Sequence, residues 1–246
     1  MGFESYLNTY TFKCVLPGSK QEVEYKAITT GQIKGLLVYE NETNPIILEN
    51  AFDNLITSSV LSKDFNIDDL YLEDRNYLLI ELRKVTKGDV YSFSFTCPEC
   101  KNDNLSSINF EKLEVIEKPE VKDNEIVINK EVSIFIDHIT RGDQKLSYSK
   151  INTKNRTQNQ IQADMVLNTL TTGIKKVVSP DGDETDLDFD KKNMIMSDFV
   201  TFENFENIKE WYNKNTIGIK LTYDLTCQHC NSFLQQQEIK LNTNFF

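Results

Sequence analysis

Apolar and polar residues alternate most regularly at two places far apart along the chain. Tyr91, Phe93 and Phe95 alternate with Ser and Thr and lead into Cys97 and Cys100. Leu221, Tyr223 and Leu225 do the same ahead of Cys227 and Cys230. A period of two marks a half-buried strand, so each stretch predicts a strand running into a Cys-x-x-Cys turn. Strands over 105–110 and 233–241 are expected to return from the two turns. A shift of 130 positions lays Tyr91, Phe93, Phe95, Thr96, Cys97 and Cys100 on Leu221, Tyr223, Leu225, Thr226, Cys227 and Cys230. The chain thus carries two copies of one strand–knuckle–strand unit.

Between and before these copies the pattern predicts helices and short hairpins. Residues 11–16 and 22–27 read as a hairpin across Pro17, Gly18 and Ser19. Thr29 and Gln32 form a capping box, with Ile28 and Ile33 as a hydrophobic staple and Ile33, Leu36 and Leu37 as the inner face. Asn44 and Pro45 open a second helix with Leu48, Phe52 and Leu55 on one side. A third, over 73–84, carries Leu78, Leu82 and Val85 and stops at Gly88.

A charged connector over 114–123, containing Pro119, is the expected domain boundary. Residues 125–128 and 132–136 then read as a hairpin over Asn129 and Lys130. Helices follow over 141–154 and 156–170, the second with Ile161, Met165, Val166 and Leu170 inward. A short strand over 174–178 precedes a helix over 194–215 with Phe202, Phe205, Ile208 and Tyr212 on one face. The expected fold class is α+β: antiparallel hairpins and helices, with a four-cysteine, zinc-ribbon-like site joining two distant strand–knuckle–strand units. Its domain plan is an N-terminal segment 1–114, an inserted segment 115–216, and a second knuckle over 217–246 that returns to the first.

The cysteine spacing carries the chemistry. Two intervening residues let the chain turn so that both sulfurs reach one ion at about 2.3 Å, and four thiolates fill the tetrahedral shell of zinc with no position left for water. Cys97, Cys100, Cys227 and Cys230 therefore predict one structural zinc. Paired disulfides or an unmetallated redox pair are the alternatives. A thioredoxin-like pair opens a helix in a βαβ unit, and neither pair here does. A compact ribbon separates its pairs by about 15–20 residues, whereas residues 101–226 intervene here. Either the body of the chain is inserted between the knuckles or the pairs belong to separate sites. Cys14, in an apolar strand, reads as a small buried hydrophobe, and the cysteine usage fits a reducing compartment.

The remaining candidates are weaker. The acidic run 181–190 lacks the EF-hand register and reads as a solvated loop. His229 lies inside the second knuckle, where four sulfurs already saturate zinc, and His138 reads as a surface or satisfied histidine. No phosphate-binding glycine motif, zinc-protease motif or nucleophile–histidine arrangement is present, so no catalytic or cofactor-binding residue is predicted. A net charge of −11 argues against a surface that grips phosphates. The 15 Phe, 10 Tyr and 1 Trp, against 9 Gly and 5 Pro, are those of a folded chain. No apolar run approaches the roughly 18 residues of a membrane span. The N-terminus shows neither a secretory signal nor the myristoylation pattern, since Tyr6 stands where Ser or Thr is required.

Two stretches resemble a known family. Tyr10-Thr-Phe-Lys-Cys-Val-Leu-Pro-Gly-Ser-Lys20, continued through residues 25–37, resembles the opening of the baseplate hub subunits and hub assembly proteins of T-even-type contractile-tailed bacteriophages. Residues 74–89, with the strand into Cys97-Pro-Glu-Cys100, resemble the same family's helix, strand and knuckle. The likeness covers about the first hundred residues and extends to the terminal knuckle.

It implies a non-enzymatic protein that builds or completes the central hub of a phage baseplate. Its partners would be other hub and tail proteins, in a symmetric oligomer within the assembled hub and without a small-molecule substrate. It would be made in the host cytoplasm and reside in the virion tail or act during assembly. Two readings from other classes stand beside it. One is a zinc-ribbon adaptor for nucleic acid or the transcription machinery, using a basic face near Lys101, Lys112 and Lys118. The other is an enzyme with a shared cysteine–carboxylate site, which needs an open coordination position.

Overall fold

A computed structural model of the chain describes residues 10–119, 124–152, 154, 156–238 and 245–246. Strands β1 (Thr11–Val15) and β2 (Glu22–Lys26) form the opening hairpin, with Cys14 opposite Val23. The Thr29–Gln32 capping box starts α1 (Thr30–Leu37). Asn44 caps α2 (Pro45–Ser59), accepting the Ile46 N–H at 3.0 Å. Helix α3 (Leu72–Lys87) ends at Gly88, whose φ of 90° is a conformation that glycine adopts without strain. Strands β3 (Val90–Thr96) and β4 (Asp103–Asn109) flank the first knuckle, and β5 (Val115–Ile116) follows.

Strands β6 (Glu125–Val127) and β7 (Ser133–Ile136) form the next hairpin, where Asn129 Oδ1 accepts the N–H groups of Glu131 and Val132. Further capping boxes, Thr140 with Asp143 and Thr157 with Gln160, open α4 (Arg141–Ser149) and α5 (Gln158–Thr172). Strands β8 (Ile174–Ser179) and β9 (Gly182–Glu184) precede α6 (Phe189–Met194) and α7 (Phe202–Lys214). Strands β10 (Gly218–Ile219), β11 (Thr222–Thr226) and β12 (Phe233–Glu238) close the chain, the last two around the second knuckle. Among the described residues all strand pairings are antiparallel: a four-stranded sheet β6-β7-β8-β9, and the pairs β1-β2, β3-β4, β5-β10 and β11-β12. The protein is thus a mixture of helix and antiparallel sheet, as the pattern predicts.

The chain divides into two units, one of Met1–Phe65, Asn76–Ile116 and Gly218–Phe246, the other of Asn66–Arg75 and Glu117–Ile217. The first holds all four knuckle cysteines. In it Arg83 is 5 % exposed, and its guanidinium lies 5.3–5.7 Å from the ring centres of Tyr91, Phe110 and Phe245. It donates to the carbonyls of Gly88 (2.6 Å) and Val90 (3.1 Å), which tie the end of α3 to the start of β3. Burial lowers the pKa of Arg83. Ring faces and carbonyl dipoles suit a planar, weakly hydrated cation in such a place.

In the second unit Ile126, Ile134, Ile136 and Ile174 of the four-stranded sheet pack with Met196, Ile208 and Trp211. Tyr212 donates its hydroxyl to the Asp137 carbonyl at 2.9 Å, and Gly173 stands directly beside that hydroxyl.

Several expectations are corrected. Leu37, Val166 and Phe202 are exposed, at 46, 51 and 79 %; Leu167 rather than Val166 meets the core. The helix expected over 194–215 is two helices. A π-turn at Ile195–Phe199, closed by Val200 N–H to Ile195 O at 3.1 Å, ends the first, and Thr201 caps α7 afresh. The run 181–190 is not a loop throughout. Gly182, at φ 121°, turns the chain into β9, and Asp188 caps α6. Helix α4 stops at Ser149, short of 154. His138 is buried, with Nδ1 3.5 Å from Glu73 Oε1, and is not a surface residue. Cys14 is half-buried rather than buried. The N-terminal segment 1–9, the connector's residues 120–123, positions 153 and 155, and residues 239–241 of the last expected strand lie outside the described residues.

A Cβ at position 173 would overlap the Tyr212 hydroxyl and crowd the Leu170 carbonyl. Gly173→Ala is therefore expected to destabilise the protein by about 1–3 kcal/mol, measured as a lowered urea midpoint. Adding Tyr212→Phe, which deletes the colliding oxygen, is expected to recover part of the loss; a fully additive double mutant would contradict the contact.

Candidate metal centre

Each knuckle is built by the same hydrogen bonds. Cys97 N–H donates to Asn102 O at 3.0 Å and Lys101 N–H to Cys97 O at 3.0 Å. Cys227 N–H donates to Ser232 O at 2.9 Å and Asn231 N–H to Cys227 O at 3.0 Å. Such turns need a left-handed residue after the second cysteine, and Lys101 (φ 61°) and Asn231 (φ 58°) supply it. The strands that feed the two turns meet as well: Phe93 and Tyr223, equivalent under the 130-residue shift, stack edge to face at 5.3 Å.

The four sulfurs come together. Cys97 Sγ is 3.7 Å from Cys230 Sγ and Cys100 Sγ is 3.6 Å from Cys227 Sγ, two contacts that each join one knuckle to the other. All four lie within 4.8 Å of one another. A tetrahedron with arms of about 2.3 Å has edges of about 3.8 Å, which these separations fit. They are far longer than the roughly 2.05 Å of a disulfide bond. Cys97 and Cys227 are fully buried, Cys100 is half-buried and Cys230 is exposed. The donor set is therefore compatible with one metal ion.

Polar groups surround the sulfurs. Ser232 Oγ lies 3.3 Å from Cys97 Sγ and 3.2 Å from Cys230 Sγ. Its hydroxyl, helped by the N–H groups of Cys100 and Glu99, holds the Cys97 thiol down at about 6. Cys100 is pulled down by the Asn102 N–H, but burial and the neighbouring sulfurs outweigh it and push it up to about 11. Cys227, raised by burial, ends lowered through the N–H groups of Cys230 and His229 and the adjacent sulfurs.

Asn104, which the sequence did not single out, is 3 % exposed. It accepts the Gln228 N–H at 2.7 Å and donates to Asn102 O at 3.0 Å. The available signal was register: counting by twos back from buried Ile108 places Asn104 inside and Leu105, 72 % exposed, outside. Ser232 carried no signal beyond standing two residues after Cys230.

The other candidates do not join the cluster. His229 Nε2 lies 3.1 Å from the Asp103 carbonyl. His138 sits in the second unit between the rings of Tyr71 and Trp211. Lys118, one of the three lysines of the nucleic-acid reading, pairs with Asp137 at 2.9 Å and covers the Tyr71 ring. Among the described residues the four cysteines are the one group with metal-ligand geometry, and no helix is long and apolar enough to cross a membrane.

Fold and cluster together define a mixed helix and antiparallel-sheet protein in which two distant cysteine knuckles share one four-thiol cluster. The chain belongs to the family described as T4 bacteriophage base plate protein, whose model matches residues 7–246. Comparison with curated proteins and with solved structures gave no match. Membership implies a structural role in the phage tail, contacts with other tail proteins and a place in the virion tail.

Left-handed backbone costs an ordinary residue roughly 1–2 kcal/mol. Lysine already bears that cost at φ 61°, so Lys101→Val, whose β-branching tolerates the conformation less well, is expected to lower stability further, while Lys101→Gly is expected to be neutral or slightly stabilising. Equilibrium urea unfolding of the three chains checks the order.

Proposed function

We propose that the protein is a non-enzymatic structural or assembly component of the phage baseplate hub that binds other hub and tail proteins. In this reading a structural zinc is held by Cys97, Cys100, Cys227 and Cys230. The observation that carries it is the family match over residues 7–246. The hub assignment rests further on the resemblance of the first hundred residues and of the knuckles. The metal assignment rests on four sulfurs within 4.8 Å. Zinc suits an all-thiolate tetrahedron, where it supplies no open position and hence no Lewis-acid chemistry, only a cross-link. The domain plan belongs to the same proposal: 115–216 is an insertion between 1–114 and 217–246, and the zinc ties its two ends.

Elemental analysis of the purified chain is expected to give one zinc, lost on either Cys97→Ser or Cys227→Ser. Zinc that survives one of these changes would sink the shared site. Mass spectrometry of purified virions and of tail intermediates from infected cells is expected to find the chain with other hub proteins. Its presence only in complexes outside the tail would overturn the hub reading while leaving the zinc result standing.

A further inference from the structure

Among the described residues, three hydrogen bonds cross between the two knuckles without using sulfur. Gln228 N–H donates to Asn104 Oδ1 at 2.7 Å, Gln228 Nε2 donates to Leu105 O at 2.9 Å, and His229 Nε2 meets Asp103 O at 3.1 Å. All three place the residues between Cys227 and Cys230 on the first turn of β4. Asn104 is buried and fixed at its other end, since Nδ2 donates to Asn102 O, the same carbonyl that accepts Cys97 N–H. A continuous polar path therefore runs from the Cys97 amide through Asn102 and Asn104 to the amide next to Cys227.

The path has one direction only. Under the 130-residue shift Asn104 corresponds to Leu234 and Gln228 to Pro98. A leucine side chain cannot accept a hydrogen bond, and proline has no N–H to give, so the reciprocal bond is chemically excluded. A cross-link made by an ion alone needs no such asymmetry. We infer that Asn104 is a positioning residue of the four-thiol site, docking the second knuckle on β4 before any metal arrives; this rests on reading the cluster as a metal site. The thiols are then gathered during folding, and the metal does not bear the cost of ordering them.

The test uses the full chain, with Co(II) as the metal probe. Gln228→Pro deletes both Gln228 donors, the amide N–H and Nε2, and places at 228 the residue that the first knuckle has at 98. Asn104→Leu places at 104 the residue that the second knuckle has at 234. Both variants are expected to bind Co(II) roughly ten- to a hundred-fold more weakly, the usual effect of losing a group behind the ligands, while keeping the tetrathiolate charge-transfer spectrum. In the metal-free wild-type chain the Gln228 amide is expected to exchange slowly with solvent deuterium.

Unchanged Co(II) affinity in Gln228→Pro, or rapid exchange at Gln228 without metal, would overturn the inference. Should Asn104→Leu fail to fold, Gln228→Pro and the exchange measurement decide alone. A wild-type chain that binds no Co(II) would overturn the metal reading instead, and slow exchange at Gln228 would then still support the docking.

Discussion

Two hairpins lying about 130 residues apart in sequence must be held against each other, and the architecture of the first unit depends on it. In a random-coil treatment, closing a loop of that length costs about 4–5 kcal/mol of chain entropy. Neither hairpin is self-sufficient, because a two-stranded ribbon is marginal in water. Their union is made at three levels along one stretch: the Phe93–Tyr223 ring contact, the hydrogen bonds to residues 103–105, and the four sulfurs. These contacts lie within a few residues of one another on each chain segment, so they act cooperatively on the same loop closure.

Strand β3 is the element that sets the spacing. Its inward residues recur every second position, and each meets a different partner. Tyr91 lies beneath the Arg83 guanidinium and against Phe245, Phe93 meets Tyr223, and Cys97 enters the cluster. A one-residue slip of β3 against β4 would turn all of these outward together. Arg83 works against such a slip from the other end, because it is bonded to Gly88 and Val90 at the strand's entrance. Removing its charge would leave the carbonyls of the α3–β3 turn without their donor.

Much of this was legible in the sequence, and the reasons are local. Capping boxes at Thr29 and the Asn44–Pro45 start need only a few neighbouring residues, as do the Asn129 turn and the alternation before each knuckle. Each was found where expected. What failed depended on competition between a local signal and a distant one. The apolar spacing across 194–215 suggested one helix, yet Thr201 offers its side chain to the Asn204 N–H and restarts the helix, so Phe202 falls in the exposed first turn. The Asp181–Gly182 pair was a hairpin signal obscured by the acidity around it. Buried Arg83 and His138 could not be foreseen from hydropathy, because each is polar and is accommodated by groups distant in sequence or by ring faces, whereas Asn104 was marked only by the register of β4. The cysteine pattern named the four residues that meet, but not the asparagine behind them.

That difference bears on what a baseplate protein requires. A tetrathiolate cross-link is strong and fixes the four sulfurs near tetrahedral angles, but rotation about the cysteine side-chain bonds still leaves each knuckle's backbone some freedom to turn. Hydrogen bonds from the knuckle's residues to a neighbouring strand are individually worth only about 1 kcal/mol, but they depend on direction and so fix that rotation. In the proposed hub the two kinds of contact are complementary. Zinc would secure the ends of the inserted segment against separation, while Asn104, Gln228 and His229 would hold their orientation. The exposed Cys230 and the buried Asn104 thus belong to one joint. Its strength and its geometry come from different chemistry.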